Sequence, residues 1–260
     1  MRKYMSIAGI SIKNALVYRA NVTSRIVFYF VFIYIFFSLW SVIYKGNEIA
    51  GYNLTQMVWY ICMTELVVFC SGSGIFGSMN QEVKSGSIAY QLIRPWNYIF
   101  KKFAEMLGNI TFSASIFTLM AIILGFAFVG PIAGFQPVAI PFIIVSFILS
   151  VTINFFILMS LGLLAFYFEE NSPFYFIYTK LLFVFGMLLP IEFLPLWAQN
   201  ILRFLPFSLI TWAPAKMVVD FSFEHVVRVM PMQALWCIAA VILALFVFSR
   251  GVRKVNVHGG

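Results

Sequence analysis

The sequence predicts an all-α polytopic membrane protein from its composition and from the spacing of its apolar runs. Of its 260 residues, 62% are hydrophobic and only 10% are charged, whereas soluble domains carry about a quarter charged residues. Aromatic residues make up 19% of the chain, and 31 residues are Phe. Apolar runs of membrane-spanning length recur throughout and leave no stretch for a soluble domain. We therefore expect a single transmembrane domain over residues 1–260.

Residues 1–25 precede the first long apolar run and are basic. A helical wheel places Arg2, Lys3 and Lys13 in one sector, with Tyr4 and Ile12 in the opposite one. Basic and apolar faces on one helix are typical of a helix that lies in the membrane interface. The segment is thus predicted to be an amphipathic interfacial helix, and a positively charged anchor with no other role is the alternative.

Six runs are long and apolar enough to cross a bilayer. They are Ile26–Tyr44, Met57–Met79, Ala104–Val129, Val138–Phe168, Phe174–Leu189 and Met232–Ser249. An even number of spans places both termini on the same side. Thirteen Lys and Arg residues then fall on that side and four on the other, which predicts that both termini are cytoplasmic. The same bias explains the net charge of +8 without nucleic acid as a partner.

The sequence lacks the motifs of common catalytic and nucleotide-binding sites. It contains no GxxxxGK[ST], GxSxG or HExxH pattern. Its three Cys and two His have no metal-ligand spacing. We expect no catalytic residue, metal or cofactor in this chain.

Glu65 is the one ionisable residue deep inside a predicted span. Charges within a membrane are costly and usually face a cavity or the interior of the bundle. Two interpretations stay open: a structural carboxyl that is protonated or hydrogen-bonded to a neighbouring helix, or a residue that lines a transport pathway.

The loop of residues 80–102 reads NQEVKSGSIAYQLIRPWNYIFKK. Val83, Gly86, Tyr90 and Ile93 recur at helical spacing, which predicts a helix with these residues on one face. Pro95 would end that helix. Such a helix on the cytoplasmic side is suited to docking a soluble partner, and a loop helix that lies on the membrane is the alternative.

The segment Pro190–Pro214 contains four prolines within apolar sequence. It is too interrupted for one membrane helix and too apolar for a solvated loop. We predict half-helices, turned at Pro195 and Pro206, that dip into the membrane from the outer side within an outer region of residues 190–230. Glu192 should then face water or a dimer seam.

Two motifs and the overall plan resemble the permease subunit of an ABC-2-type ATP-binding-cassette exporter. The first motif is Glu82-Val83-Lys84-Ser85-Gly86 with Leu92-Ile93-Arg94-Pro95, which is similar to the E-x-x-x-G…L-x-R-P pattern of the coupling element. The second consists of Pro190, Pro195, Trp197, Leu205-Pro206-Phe207 and Pro214, which is similar to the pattern before the last span.

The resemblance implies a non-catalytic subunit of the bacterial or archaeal plasma membrane. It would pair with a second permease and a separate ATPase that binds ATP and Mg. Residues implied in coupling to the ATPase are Glu82, Val83, Gly86, Tyr90, Arg94 and Pro95. Residues implied in an outer gate are Pro190, Glu192, Pro195, Trp197, Pro206 and Phe207. The Phe- and Met-rich spans favour an amphipathic or hydrophobic cargo. A proton-coupled transporter acting through Glu65 and a lipid-modifying enzyme are the alternative functions.

Overall fold

The computed structural model describes residues 2–17, 19–71 and 74–255, except for the side chains of residues 15–21 and 255. The described chain is helical and contains no strand, which confirms the all-α class. In chain order its helices are α1 (Arg2–Val17), α2 (Arg19–Tyr44), α3 (Leu54–Ser71), α4 (Ile75–Lys84), α5 (Ile88–Leu92), α6 (Tyr98–Phe128), α7 (Ile140–Leu163), α8 (Ser172–Leu182), α9 (Leu196–Leu202), α10 (Pro206–Val219) and α11 (Phe223–Val255).

Within the described residues, five helical segments are long and apolar enough to cross a bilayer. They are Val22–Tyr44, Leu54–Lys84, Tyr98–Phe128, Pro137–Phe166 and Phe223–Lys254. A sixth is counted if the bent pair α9 and α10 is one span. A helix bonds its own backbone groups, so apolar sequence of this length is stable in lipid as a helix.

The predicted fifth span, Phe174–Leu189, corresponds to a helix of the same length that is not among the five long segments. Its helix is α8 followed by a π-helical turn, Phe183–Met187. These sixteen residues rise about 24 Å, less than the roughly 30 Å of a hydrocarbon core. Beyond it the chain passes through Pro190 into a 3₁₀ turn, Ile191–Phe193, and the ring centroid of Phe193 lies 5.8 Å from that of Trp40, close to the end of α2. The helix and the turn that follows it together therefore cross the bundle.

The helices form a bundle with two distinct ends. At the N-terminal end, Lys3 Nζ donates to the Pro95 carbonyl at 2.7 Å, and Lys254 Nζ lies 4.3 Å from the Tyr167 ring centroid. At the far end, Trp59 Nε1 donates to the Gly130 carbonyl at 3.0 Å. The described parts of both terminal segments thus lie at the same end.

A buried polar cluster joins α7, α10 and α11. Gln233 Nε2 donates to the Leu209 carbonyl at 2.8 Å and to Ser150 Oγ at 3.1 Å. Ser146 Oγ donates to Gln233 Oε1 at 2.9 Å. All three polar side chains are fully buried. Because a buried polar group without a partner is costly, these bonds hold α10 in one position against two long helices.

A glycine interrupts the second predicted span. α3 ends at Ser71 and α4 begins at Ile75, and Gly74 between them has φ 82°. Only glycine adopts this left-handed conformation without steric cost. Gly74 thus breaks the helix locally, but Leu54–Lys84 still runs as one candidate span, which confirms the predicted second span Met57–Met79.

Candidate functional site

Residues 75–97, which comprise α4, α5 and the chain up to Asn97, form an element at the N-terminal end that we call the docking element. The prediction that Val83, Gly86, Tyr90 and Ile93 share one helical face is wrong. α4 ends at Lys84, Gly86 has φ 72° and the five-residue α5 follows. The left-handed glycine ends the helical register, so residues on either side of it do not lie on one continuous face.

Apolar and basic side chains of the docking element are exposed together. Tyr90 is 73% exposed and Ile93 is 82% exposed. Arg94 and Pro95 are exposed as well, and the guanidinium carbon of Arg94 lies 5.2 Å from the ring centroid of Trp96. Val83, in contrast, packs against the core. Tyr90, Ile93 and Arg94 could contact a partner protein, whereas Val83 is held by the bundle.

Glu82 points inward and not toward a partner. Its Oε1 is 2.5 Å from Lys102 Nζ, and its Oε2 accepts a hydrogen bond from the Tyr98 hydroxyl at 2.7 Å. The Lys102 side chain is only 9% exposed and that of Glu82 is 22% exposed. Charge-assisted hydrogen bonds of this kind are strong. They tie the end of α4 to the beginning of α6 and so fix the base of the docking element.

Helix α1 packs along α6 and also contacts the docking element. In addition to the Lys3–Pro95 bond, the Asn97 amide donates to the Tyr4 hydroxyl at 3.1 Å. Gly108 of α6 lets α1 approach closely, because a Cβ there would lie 2.9 Å from Cβ of Ser11. The basic N-terminal helix is therefore connected directly to the segment that follows Arg94.

Residues 190–219 form a second region, at the far end, that we call the hairpin. A 3₁₀ turn, Ile191–Phe193, leads into α9 and α10, whose axes differ by 99°. Pro195 and Pro206 stand where α9 and α10 begin, because proline is tolerated in the first turn of a helix. Pro214 lies inside α10 and does not end it.

The bend of the hairpin lies at mid-depth in the bundle, and α10 returns from there to the far end. Trp236 Nε1, near the middle of α11, donates to the Phe204 carbonyl at 2.7 Å. The end of α10 is at the far end, where Gln56 Nε2 donates to the Val219 carbonyl at 3.1 Å. A Cβ on Gly186 of the π-helical turn would lie 2.8 Å from the Phe207 carbonyl oxygen, so the hairpin is packed tightly against the end of α8.

Glu192 lies in a largely buried network, and its side chain is 20% exposed. Its Oε1 is 3.3 Å from Lys216 Nζ, and its Oε2 accepts from Trp212 Nε1 at 3.1 Å. Lys216 Nζ also donates to the Tyr52 hydroxyl at 3.1 Å and pairs with Asp220 at 2.8 Å. A cation on α10 thus neutralises Glu192 inside the chain, and the expectation that Glu192 faces water or a dimer seam stays a prediction.

The charge of this network also acts on Tyr52. Burial, together with the neighbouring Glu192 carboxylate, raises the pKa of the Tyr52 phenol well above its ordinary value. The phenol therefore stays protonated and can both accept from Lys216 and donate. The loop between α2 and α3 is in this way fastened to the hairpin.

The remaining predicted gate residues differ in exposure. Trp197 is 69% exposed, whereas Pro190 and Pro206 are buried. Phe207 is partly buried, and its ring centroid lies 5.8 Å from that of Tyr178 on α8. The hairpin thus has an inner part packed on the bundle and an outer part, α9, that is exposed.

Glu65 is 1% exposed on α3, near Tyr29. Its Oε1 has no hydrogen-bond partner among the described residues. The Tyr29 hydroxyl donates instead to the Cys62 carbonyl at 2.8 Å. A hydrogen bond from Glu65 to a neighbouring helix therefore has no support at Oε1, and the interpretation of Glu65 as a protonated structural carboxyl stays a prediction.

Sequence reasoning missed Lys102, Lys216 and Tyr52 as partners of the two motif carboxylates. Lys216 offered a signal, because a lone cation in the apolar sequence ITWAPAKMVV requires a counter-charge. No signal of that kind pointed to Tyr52. Within the described residues, no cluster of His, Cys, Asp or Glu could hold a metal ion.

The family model described as "ABC-2 family transporter protein" matches residues 24–259. The match includes the docking element, the hairpin and all the long helices except the start of α2. Among curated proteins, none matches the chain significantly.

Proposed function

Because the chain belongs to the ABC-2 family of transporters, and is thus a membrane permease subunit of an ABC transporter, we propose that it exports an amphipathic or hydrophobic substrate. A separate ATPase, which binds ATP and Mg, would drive transport from the cytoplasmic side. A second permease subunit, identical or different, would complete the translocation path. The plasma membrane of a bacterium or archaeon is the proposed location.

The exposed surface of Tyr90, Ile93 and Arg94 carries this proposal. Large apolar side chains beside an arginine at the centre of a patch are typical of protein interfaces. The surface lies on the basic end of the bundle, and the positive-inside rule favours a cytoplasmic position for that end. Its base is fixed by the Glu82–Lys102 pair, so a force applied at Ile93 would be transmitted to α4 and α6.

The hairpin supports an outer gate. It enters the bundle to mid-depth and returns, and its non-spanning backbone is packed in protein, the setting in which such segments are tolerated in membranes. A gate at the far end and a docking element at the N-terminal end would give the two opposed sites that alternating access needs.

The test is the ATPase activity of the complex with the co-purified ATP-binding subunit. Ile93→Asp places a charge in the proposed interface, and we expect a loss of permease-stimulated ATPase of about 30-fold or more, the equivalent of about 2 kcal/mol for an interface hot spot. Phe168→Asp is the matched control, since Phe168 is 47% exposed at the same end but outside the docking element.

Unchanged stimulation in Ile93→Asp, with assembly intact, would remove the docking element from the proposal. Transport without ATP that is abolished by Glu65→Gln would replace the proposal with proton-coupled transport.

A further inference from the structure

A cavity of about 260 Å³ lies between α2, α3, α7 and α8. Arg25, Asn154 and Tyr178 line it together with apolar side chains that include Leu158 and Leu182. Arg25 is six residues into α2, which is about 9 Å along the helix axis. The cavity therefore lies within the part of the bundle toward the N-terminal end, on the side where a cytoplasmic substrate would enter.

Arg25 has no acidic partner in the part of the chain that the structure describes. The ion pairs among the described residues join carboxylates to other cations, which are Lys84, Lys101, Lys102, Lys216 and Arg228. Arg25 instead donates to the Phe69 carbonyl, and its guanidinium carbon lies 5.2 Å from the Phe117 ring centroid. A guanidinium has five N–H donors and does not lose its charge, so a carbonyl and a ring leave both charge and donors available.

The other polar side chains that line the cavity, Asn154 and Tyr178, already have hydrogen-bond partners within the chain. The Tyr178 hydroxyl donates to Asn154 Oδ1 at 2.5 Å, and Asn154 Nδ2 donates to Ser71 Oγ at 2.8 Å. Ser71 Oγ in turn donates to the Val67 carbonyl at 2.7 Å. Asn154 is fully buried. This chain of bonds makes a rigid wall, and Arg25 is the one charged residue among the described residues that line the cavity.

We propose that this cavity binds the oxyanion headgroup of an amphipathic substrate, with Arg25 as its counter-charge and the apolar wall against its chain. Intramembrane charges mark substrate pathways when they face a cavity, and a guanidinium binds carboxylate and phosphate groups in a forked geometry. The inference rests on the proposed export function and narrows its cargo to anionic amphipaths.

Equilibrium binding to the purified chain in phosphatidylcholine nanodiscs tests this inference. The probes are radiolabelled dodecyl phosphate, dodecanoate and dodecanol, which share one apolar chain. We expect both anions to bind about tenfold or more tightly than the alcohol, since hydrogen bonds between charged groups are about twice as strong as neutral ones. Arg25→Gln should abolish this preference, and Arg25→Lys should retain part of it.

Two further variants separate the site from general charge and from misfolding. Arg228→Gln is the matched control, because Arg228 is exposed and pairs with Glu224, and it should leave the preference unchanged. Thr179→Phe narrows the cavity and keeps Arg25. The Thr179 hydroxyl bonds only within its own helix, so this variant should fold and should weaken the binding of all three probes.

Equal binding of dodecanol and the anions, or an unchanged preference in Arg25→Gln, would overturn the inference. Displacement of dodecyl phosphate by an equal concentration of inorganic phosphate would also overturn it, because that would show a site for free anions. The assay needs no ATPase. A lost preference with intact ATPase coupling therefore counts against this inference alone, and lost coupling with an intact preference counts against the docking proposal alone.

Discussion

At the far end of the bundle Glu192 and Lys216 are paired in a largely buried network, whereas at the N-terminal end Tyr90 and Ile93 expose most of their apolar surface. Both regions contain a motif carboxylate paired with a lysine, Glu192 in the hairpin and Glu82 in the docking element. Each of these carboxylates thus fixes its own segment to the bundle. The difference lies in what each segment then presents: α10 is packed inside, and α5 faces outward.

The hairpin is fixed to the bundle, whereas the surface of the docking element is available to a partner. A buried ion pair is hard to break, because removal of one partner leaves the other charge without compensation in a low dielectric. An exposed apolar patch contributes little to the stability of the folded chain, and its burial by a partner protein is favourable. The hairpin is accordingly the region whose variants should affect stability, and the docking element the region whose variants should affect assembly.

The largest expected effect on stability is at Lys216. Lys216→Met leaves Glu192 buried with no cation, and we expect a loss of about 3–5 kcal/mol in the free energy of unfolding. The double variant Glu192→Gln with Lys216→Met should recover much of that loss. SDS titration of the purified protein in mixed micelles measures both. The control Arg228→Met breaks an exposed pair and should lower the free energy of unfolding by less than about 1 kcal/mol. If Lys216→Met and Arg228→Met lower it equally, the Glu192–Lys216 pair has no special role in stability.

A smaller effect is expected where the hairpin packs against α8. Gly186→Ala introduces a Cβ 2.8 Å from the Phe207 carbonyl oxygen and in contact with the Thr211 hydroxyl. Overpacking of this kind costs about 1–3 kcal/mol. Gly77→Ala on α4 is the control, because no atom lies within 4 Å of its added Cβ. If the two variants unfold at the same SDS concentration, α8 and α10 are not in close contact.

The smallest effect concerns the exposed Glu170 at the N-terminal end. Hydrogen bonds from Ser172 and the Lys84 ammonium lower the pKa of Glu170 from 4.5 to about 2. Its carboxylate therefore adds stability that is fully present above about pH 4.5 and is lost as the pH falls to about 2. The difference in unfolding temperature between wild type and Glu170→Gln should shrink over that range. A difference that stays constant from pH 6 to pH 2 would contradict the pairing.

Much of the fold follows from the sequence because lipid imposes helices on long apolar runs. The predicted span Ala104–Val129, for example, lies in α6 except for its last residue. The breaks at Gly74 and Gly86 could not be predicted with the same ease, since a glycine inside a periodic pattern is compatible with a continuous helix as well as with a left-handed turn. The predicted fifth span, Phe174–Leu189, in contrast overlaps the observed helix Ser172–Met187 almost completely.

The candidate sites were predicted as segments but not as contacts. The prolines located the hairpin, because Pro195 and Pro206 favour helix starts. The pairs Glu82–Lys102 and Glu192–Lys216 join residues on different helices or turns. Their partners depend on how the helices pack, which local spacing does not encode. Arg25 is a similar case, since its lack of a carboxylate partner is visible only after all the ion pairs are assigned.

The orientation of the two ends is the central claim, and thiol labelling in intact cells tests it most directly. Cys62 and Cys70 are buried, so a Cys237→Ser background suits single cysteines at Ile93 and Asn200, both of which are exposed. We expect a membrane-impermeant maleimide to label Asn200→Cys in intact cells and Ile93→Cys only after permeabilisation. Added ATPase should then protect Ile93→Cys from labelling. Labelling of Ile93→Cys in intact cells, with Asn200→Cys labelled only after permeabilisation, would contradict the account.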